Sequence, residues 1–97
     1  MTKVEFHPEA EDDLAEAKQW YRQPSRLAAR AFATEFAAAV RQIATSPMRW
    51  PKTEGEPRRF VLSRFPFSIV YRLESERAYV IAIAHQRRRP GYWRKRE

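Results

Sequence analysis

At 97 residues and 11.6 kDa the chain makes one domain, 1–97, able to bury roughly 65% of its extended-chain surface in a two-layer core, too little for a deep cofactor cavity. Apolar residues at 43% and charged residues at 32% describe a soluble globular protein, and the absence of cysteine removes disulfides, thiolate nucleophiles and every Cys-based zinc or iron–sulfur site. The net charge of +7 is segregated: residues 1–24 carry three basic and six acidic side chains, residues 25–57 five and three, and residues 58–97 eleven and three.

Lys3-Val4-Glu5-Phe6 alternates as a short strand and closes at His7-Pro8. Pro8 suits the first turn of a helix, and Glu9, Glu11, Asp12 and Asp13 put negative charge at its positive dipole end. Ala10, Leu14, Ala17 and Tyr21 recur on one stripe, which predicts a first helix over 9–22. Gln23-Pro24-Ser25 breaks it, and Ser25 is placed to cap a second helix whose apolar stripe is Ala28, Phe32, Phe36, Val40 and Ile43. Arg26, Arg30 and Arg41 are left to water, and so short a turn predicts an antiparallel helical hairpin.

Pro47 ends the second helix, and SPMRWPKTEGEP at 46–57 reads as a loop fastened to the core by Trp50. From Arg58 the period becomes two, and strands are predicted at 58–64, 67–73 and 78–85. In the last, Tyr79, Ile81 and Ile83 are expected on one face and Val80, Ala82 and Ala84 on the other. Tight reversals make these three strands an antiparallel meander, so the fold class is α+β, a helical hairpin packed on an antiparallel sheet in the order β-α-α-β-β-β.

The closing HQRRRPGYWRKRE interleaves Arg87, Arg88, Arg89, Arg94, Lys95 and Arg96 with Tyr92 and Trp93. That pattern suits a surface that contacts phosphates and stacks bases, one covered by an acidic, apolar protein segment, or simply a solubilising face. Arg58, Arg59 and Arg64 extend it in this reading, and Tyr92 and Trp93 alternatively pack the tail onto the sheet. Metal-free RNA cleavage needs a general base, an acid and cations around the phosphorane. His85, Tyr92, Tyr71 and Arg64 are the candidates for those roles, although Tyr71 shares a strand face with Phe67 and Ile69 and suits the core; His7 needs no more than a capping role. The acids at 9–16 are read as a solvated helix face, two histidines are too few for a metal site, and no cofactor is expected. No apolar run approaches the roughly 20 residues of a membrane helix, and MTKVEFHPEAEDD is too acidic for a signal peptide, so a cytoplasmic protein without a membrane partner is expected.

Four pieces together carry a family resemblance: VEFHPEAEDDL with the Trp20-Tyr21 pair, SPMRWP at 46–51, RRF…RFPFSIVYR from Arg58 to Arg72, and HQRRRPGYW from His85 to Trp93. The chain resembles the ParE/RelE superfamily of type II toxin–antitoxin toxins over nearly its whole length, and the ParE branch more closely. The resemblance implies the hairpin-on-sheet fold with the N-terminal strand joining the sheet. It also implies growth inhibition held in check by a cognate antitoxin whose C-terminal segment wraps the toxin.

ParE-like members poison DNA gyrase, whereas RelE-like members cut messenger RNA on the ribosome. Nuclease members place an arginine early in the middle strand and a histidine–tyrosine or equivalent pair at the end of the last strand. Here those places hold Phe67-Ser68 and His85-Gln86, so the cutting set is incomplete and the resemblance implies a non-enzymatic gyrase inhibitor. Arg58, Arg59, Arg64, Arg87, Arg88, Arg89, Tyr92 and Trp93 then become the expected surface for the target or antitoxin. The alternatives are a ribosome-dependent endoribonuclease, and a degenerate toxin that reaches operator DNA only through the antitoxin complex.

Overall fold

The computed structural model describes residues 1–53, 55 and 57–96, so the part of the predicted loop at Glu54 and Glu56 lies outside the described residues. The chain runs β1 (Lys3–Phe6), α1 (Pro8–Arg22), α2 (Arg26–Thr45), β2 (Arg58–Val61), β3 (Phe67–Glu74) and β4 (Arg77–His85). His7 caps α1 by accepting the Glu9 N–H at Nδ1, 3.0 Å away. Pro8 then occupies the first turn, where no N–H is required. Ser25 caps α2 through Oγ and the Ala28 N–H at 3.1 Å, and the Gln23-Pro24 break between the helices folds them into the expected hairpin.

The strands lie in the order β1-β4-β3-β2. β2, β3 and β4 form the expected antiparallel meander, but β1 enters parallel to β4, so the sheet is mixed rather than antiparallel. A parallel partner needs a crossover, and the helical hairpin provides it. β2 stops at Val61, short of the expected Arg64, because the Glu35 carboxylate of α2 takes the N–H groups of Ser63 and Arg64.

Phe32, Phe36 and Ile43 of α2 and Ala10 and Ala17 of α1 bury against Phe60, Ile69, Tyr71, Ala78, Val80 and Ile83 of the sheet. Trp50 plugs the loop onto this core, its ring 4.3 Å from that of Phe60. The phase of β4 differs from the expected alternation. Val70 pairs with Ala82 and Tyr71 with Val80, which leaves Ile81 as the extra residue of a β-bulge. Ala78 and Val80 face the helices, and after the bulge Ile83 does too, whereas Tyr79, Ile81, Ala82 and Ala84 face away.

That second face is covered by the C-terminal segment. Trp93, 8% exposed, packs with Val70, Ile81 and Ala82, and Tyr92 joins them. Among the described residues no helix is long and apolar enough to cross a membrane, and no group of His, Asp and Glu side chains is placed to hold a metal ion.

Candidate functional site

Two grooves flank the end of the sheet where β4 leaves it. The first, about 500 Å³, lies on the tail-covered face. Val61, Val70, Ala84 and Trp93 form its floor, Pro51 to Thr53 one wall, and Arg59, Arg88, Arg89 and Arg94 its basic rim. Strand alternation puts Arg59 there, on the same side as Val61, and turns Arg58 the other way. Arg58 donates to the carbonyls of Met48 (3.0 Å) and Trp50 (2.7 Å) and so fixes the loop. Arg64 reaches the Glu35 carboxylate at 3.2 Å, and Arg87 is exposed in the turn after β4. Of the three arginines expected to extend the basic surface of the tail, Arg59 alone does so.

Two sets of guanidinium groups on the sheet and tail differ in their pairing. Arg64, Arg72, Arg77 and Arg96 are neutralised by Glu35, Glu74, Glu5 with Glu74, and Asp13 respectively. Arg59, Arg88, Arg89 and Arg94 have no carboxylate partner among the described residues. Arg59 donates to Ser68 Oγ at 3.1 Å, and Arg88 lies 3.8 Å above the Tyr92 ring. Arg94 crosses Gly91, whose φ of 77° and missing Cβ leave room for the guanidinium.

The second groove, also about 500 Å³, opens between the helical hairpin and the sheet end, and is lined by Ala17, Trp20, Gln23, Phe67 and Ile83, with Asp13 and Glu16 near one wall. Trp20 is 73% exposed, unusual for so large an apolar ring. His85 and Arg88 border both grooves, which therefore meet around the end of β4.

Asp13 is the residue that sequence reasoning missed. The acidic run reads as a solvated face, yet this carboxylate is largely buried and accepts from the Ile83 N–H (3.0 Å), the Tyr92 hydroxyl (3.1 Å) and Arg96 at 2.6 and 3.2 Å. Arg96 also donates to the Ile81 carbonyl at 2.9 Å. β1 makes its last bond to β4 through the His7 N–H and the Val80 carbonyl, so Asp13 and Arg96 satisfy the strand edge beyond it. Hydrogen bonding to Asp13 holds the Arg96 guanidinium even more firmly charged than usual.

Of the proposed catalytic candidates, His85 and Tyr92 both line the first groove, whereas Tyr71 and Arg64 lie away from it. Tyr71 is fully buried in the core, its hydroxyl donating to the Pro47 carbonyl at 2.6 Å, and burial pushes its pKa up to about 12. The Tyr92 phenol is likewise pushed up to about 12, by burial first and then by the negative charge of Asp13. The bulge sets His85 on the helix side, edge-on to Phe67 with centroids 4.9 Å apart, while the Tyr92 ring packs with the opposite face. His85 Nδ1 accepts the Arg87 N–H at 3.0 Å, so the neutral ring carries its proton on Nε2 and presents a donor there. Arg64 sits with Glu35 at the β2–β3 reversal.

The family model described as "ParE toxin of type II toxin-antitoxin system, parDE" matches residues 4–90. The chain belongs to the ParE toxin family. It is accordingly the toxin component of a type II toxin–antitoxin module, and a cognate antitoxin is its partner. Among solved structures, this ParE-family chain is similar to one from the chromosomal ParDE TA system of P. aeruginosa, at 18% identity and a TM-score of 0.76, covering 88% of this chain and 96% of that one. At that identity the likeness shows the shared fold. No curated protein sequence matches the chain.

Proposed function

We propose that this ParE-family toxin acts by binding DNA gyrase and stalling replication, with no reaction catalysed by its own side chains. The observation that carries this reading is that the groups a nuclease would need are already engaged within the fold, although His85 and Tyr92 line the same groove. A metal-free ribonuclease requires a base and an acid on one phosphate. The rings of His85 and Tyr92 pack on opposite sides of β4, His85 Nδ1 accepts the Arg87 N–H, and the Tyr92 hydroxyl donates to the Asp13 carboxylate. The site supports binding, with one apolar groove, one basic groove and a shared border at His85 and Arg88.

The antitoxin is proposed to cover the hairpin groove, with Trp20 as the anchoring contact. Exposed tryptophans carry a disproportionate share of binding energy at interfaces. Trp20→Ala should weaken capture of the antitoxin at least tenfold while leaving the fold intact.

Controlled expression without the antitoxin, in cells assayed for gyrase-linked DNA breaks and for mapped transcript ends, tests the target. Breaks with intact transcripts are expected. Cleaved transcripts without breaks, abolished by His85→Ala or Tyr92→Phe in a folded protein, would establish the ribosome-dependent nuclease instead.

A further inference from the structure

The division of the arginines goes further than the identity of the target. A guanidinium matched to a carboxylate in the same chain has little left to offer a ligand, and Arg64, Arg72, Arg77 and Arg96 are in that position. Arg59, Arg88, Arg89 and Arg94 are exposed, have no carboxylate partner among the described residues, and converge on one groove although they come from β2 and from the tail. On the opposite layer, the exposed Glu9, Glu11, Asp12 and Glu16 of α1 are balanced by Arg22 of α1 and Arg26, Arg30 and Arg41 of α2. The excess positive charge is thus concentrated on the tail-covered face, where it favours a polyanion.

What kind of polyanion follows from what the groove lacks. Single-strand recognition uses open aromatic faces on which bases stack. Here the Tyr92 ring has Arg88 at 3.8 Å and Arg96 at 5.0 Å, and Trp93 is buried in the sheet. An acidic peptide would dock through a strand edge or apolar sockets. The edge of β2 is occupied at its first residues, since the Arg59 N–H donates to the Pro51 carbonyl and Lys52 bridges to Arg58. Above a shallow apolar floor, the rim of the groove therefore presents unpaired charge with no base-stacking platform, an arrangement that suits sequence-independent contact with a phosphodiester backbone.

We infer that Arg59, Arg88, Arg89 and Arg94 form a docking surface for the phosphate backbone of duplex DNA, by which the toxin engages the DNA held by gyrase. This rests on the gyrase reading above.

The test is fluorescence anisotropy of the full chain with a labelled 20-base-pair duplex of mixed sequence, over a series of salt concentrations. Arg59→Ala/Arg88→Ala/Arg89→Ala should weaken binding at least tenfold and flatten the slope of log affinity against log salt by about 2 to 3, because each phosphate contact contributes about 0.9. The control, Arg26→Ala/Arg30→Ala/Arg41→Ala, removes the same charge from exposed positions on α2 and should stay within about threefold of the wild type. Arg89→Glu provides a second, single-site variant, and circular dichroism checks that all of them are folded. Equal weakening by the two triple variants, no duplex binding by the wild type, tighter binding of the single strand, or displacement of the duplex by a glutamate-rich peptide that binds more tightly at the same salt would each overturn the proposal.

Gyrase supercoiling assays on the same proteins separate the two readings. A groove variant that has lost duplex binding yet inhibits gyrase fully overturns the docking role and leaves the gyrase reading standing. A wild type that binds duplex through the groove but leaves gyrase active removes the gyrase reading and keeps the DNA site.

Discussion

Replacing Asp13 by alanine removes one carboxylate that serves three partners. The Ile83 N–H and the Tyr92 hydroxyl each lose an acceptor, and the Arg96 guanidinium, its side chain 11% exposed, loses the partner that neutralises it. Stranding one member of a largely buried ion pair costs about 3–5 kcal/mol, and each neutral hydrogen bond adds about 1 kcal/mol. A long arginine side chain can turn its guanidinium toward water, which recovers part of the first figure, so the net loss is expected to be about 3 kcal/mol. For a domain of this size that lowers Tm by roughly 12–20 °C, and with a urea slope of about 1.5 kcal/mol/M it moves the midpoint by about 2 M. Asp13→Asn, which keeps the shape and one acceptor, should lose about half as much. A double-mutant cycle with Arg96→Ala isolates the pair, and a coupling of at least about 1.5 kcal/mol is expected. An Asp13→Ala protein within about 0.5 kcal/mol of the wild type, or strict additivity with Arg96→Ala, would refute the argument.

Three further outcomes follow from single residues. Burial alone would raise the Glu35 carboxyl, but hydrogen bonds from Ser63 and Arg64 hold it below its ordinary 4.5. Its stabilising contribution should be complete above that value and disappear as pH falls through the lower folded value, so Glu35→Gln should flatten the acid limb of a urea-midpoint titration. Tyr71 and Tyr92 at about 12 against an ordinary 10.0 give the opposite sign: their contribution is present below pH 10 and is lost as pH rises toward 12. Absorbance at 295 nm should show these two phenols ionising only with unfolding; a full four-tyrosine change by pH 11 in folded protein would contradict this. Gly91→Ala should cost about 1–2 kcal/mol for the left-handed backbone, read from the urea midpoint. It should also displace Arg94, whose Cζ would lie 2.8 Å from the new Cβ, and weaken duplex binding.

β3 was legible because its alternation has polar markers, Ser68 and Arg72, that fix the phase. The phase of β4 was not, since Tyr79 to Ala84 is apolar throughout and a bulge is a property of pairing with β3 rather than of either strand's period. The consequence reached the site: a uniform alternation would have kept Ile83 with Tyr79 and away from the helices. The caps at His7 and Ser25 were local and could be read directly, as could the stripes on both helices. Asp13 and Arg96 are 83 positions apart, and no local signal separates Asp13 from the helix-start acids around it. The different fates of Arg58 and Arg59 were accessible in principle, because neighbours on a strand point to opposite faces.

The closure of β4 beyond β1 bears on how this protein behaves in a crowded solution. An uncovered strand edge is a template on which further copies can add, and natural sheets usually block it with a short strand or a lysine. Here the block consists of two side chains of opposite sign, Asp13 on the Ile83 N–H and Arg96 on the Ile81 carbonyl, so each backbone group meets a partner of matched polarity. Protection of this stretch of the β4 edge is thereby tied to one ion pair, and the loss of either residue would uncover one of its backbone groups as well as loosen the fold.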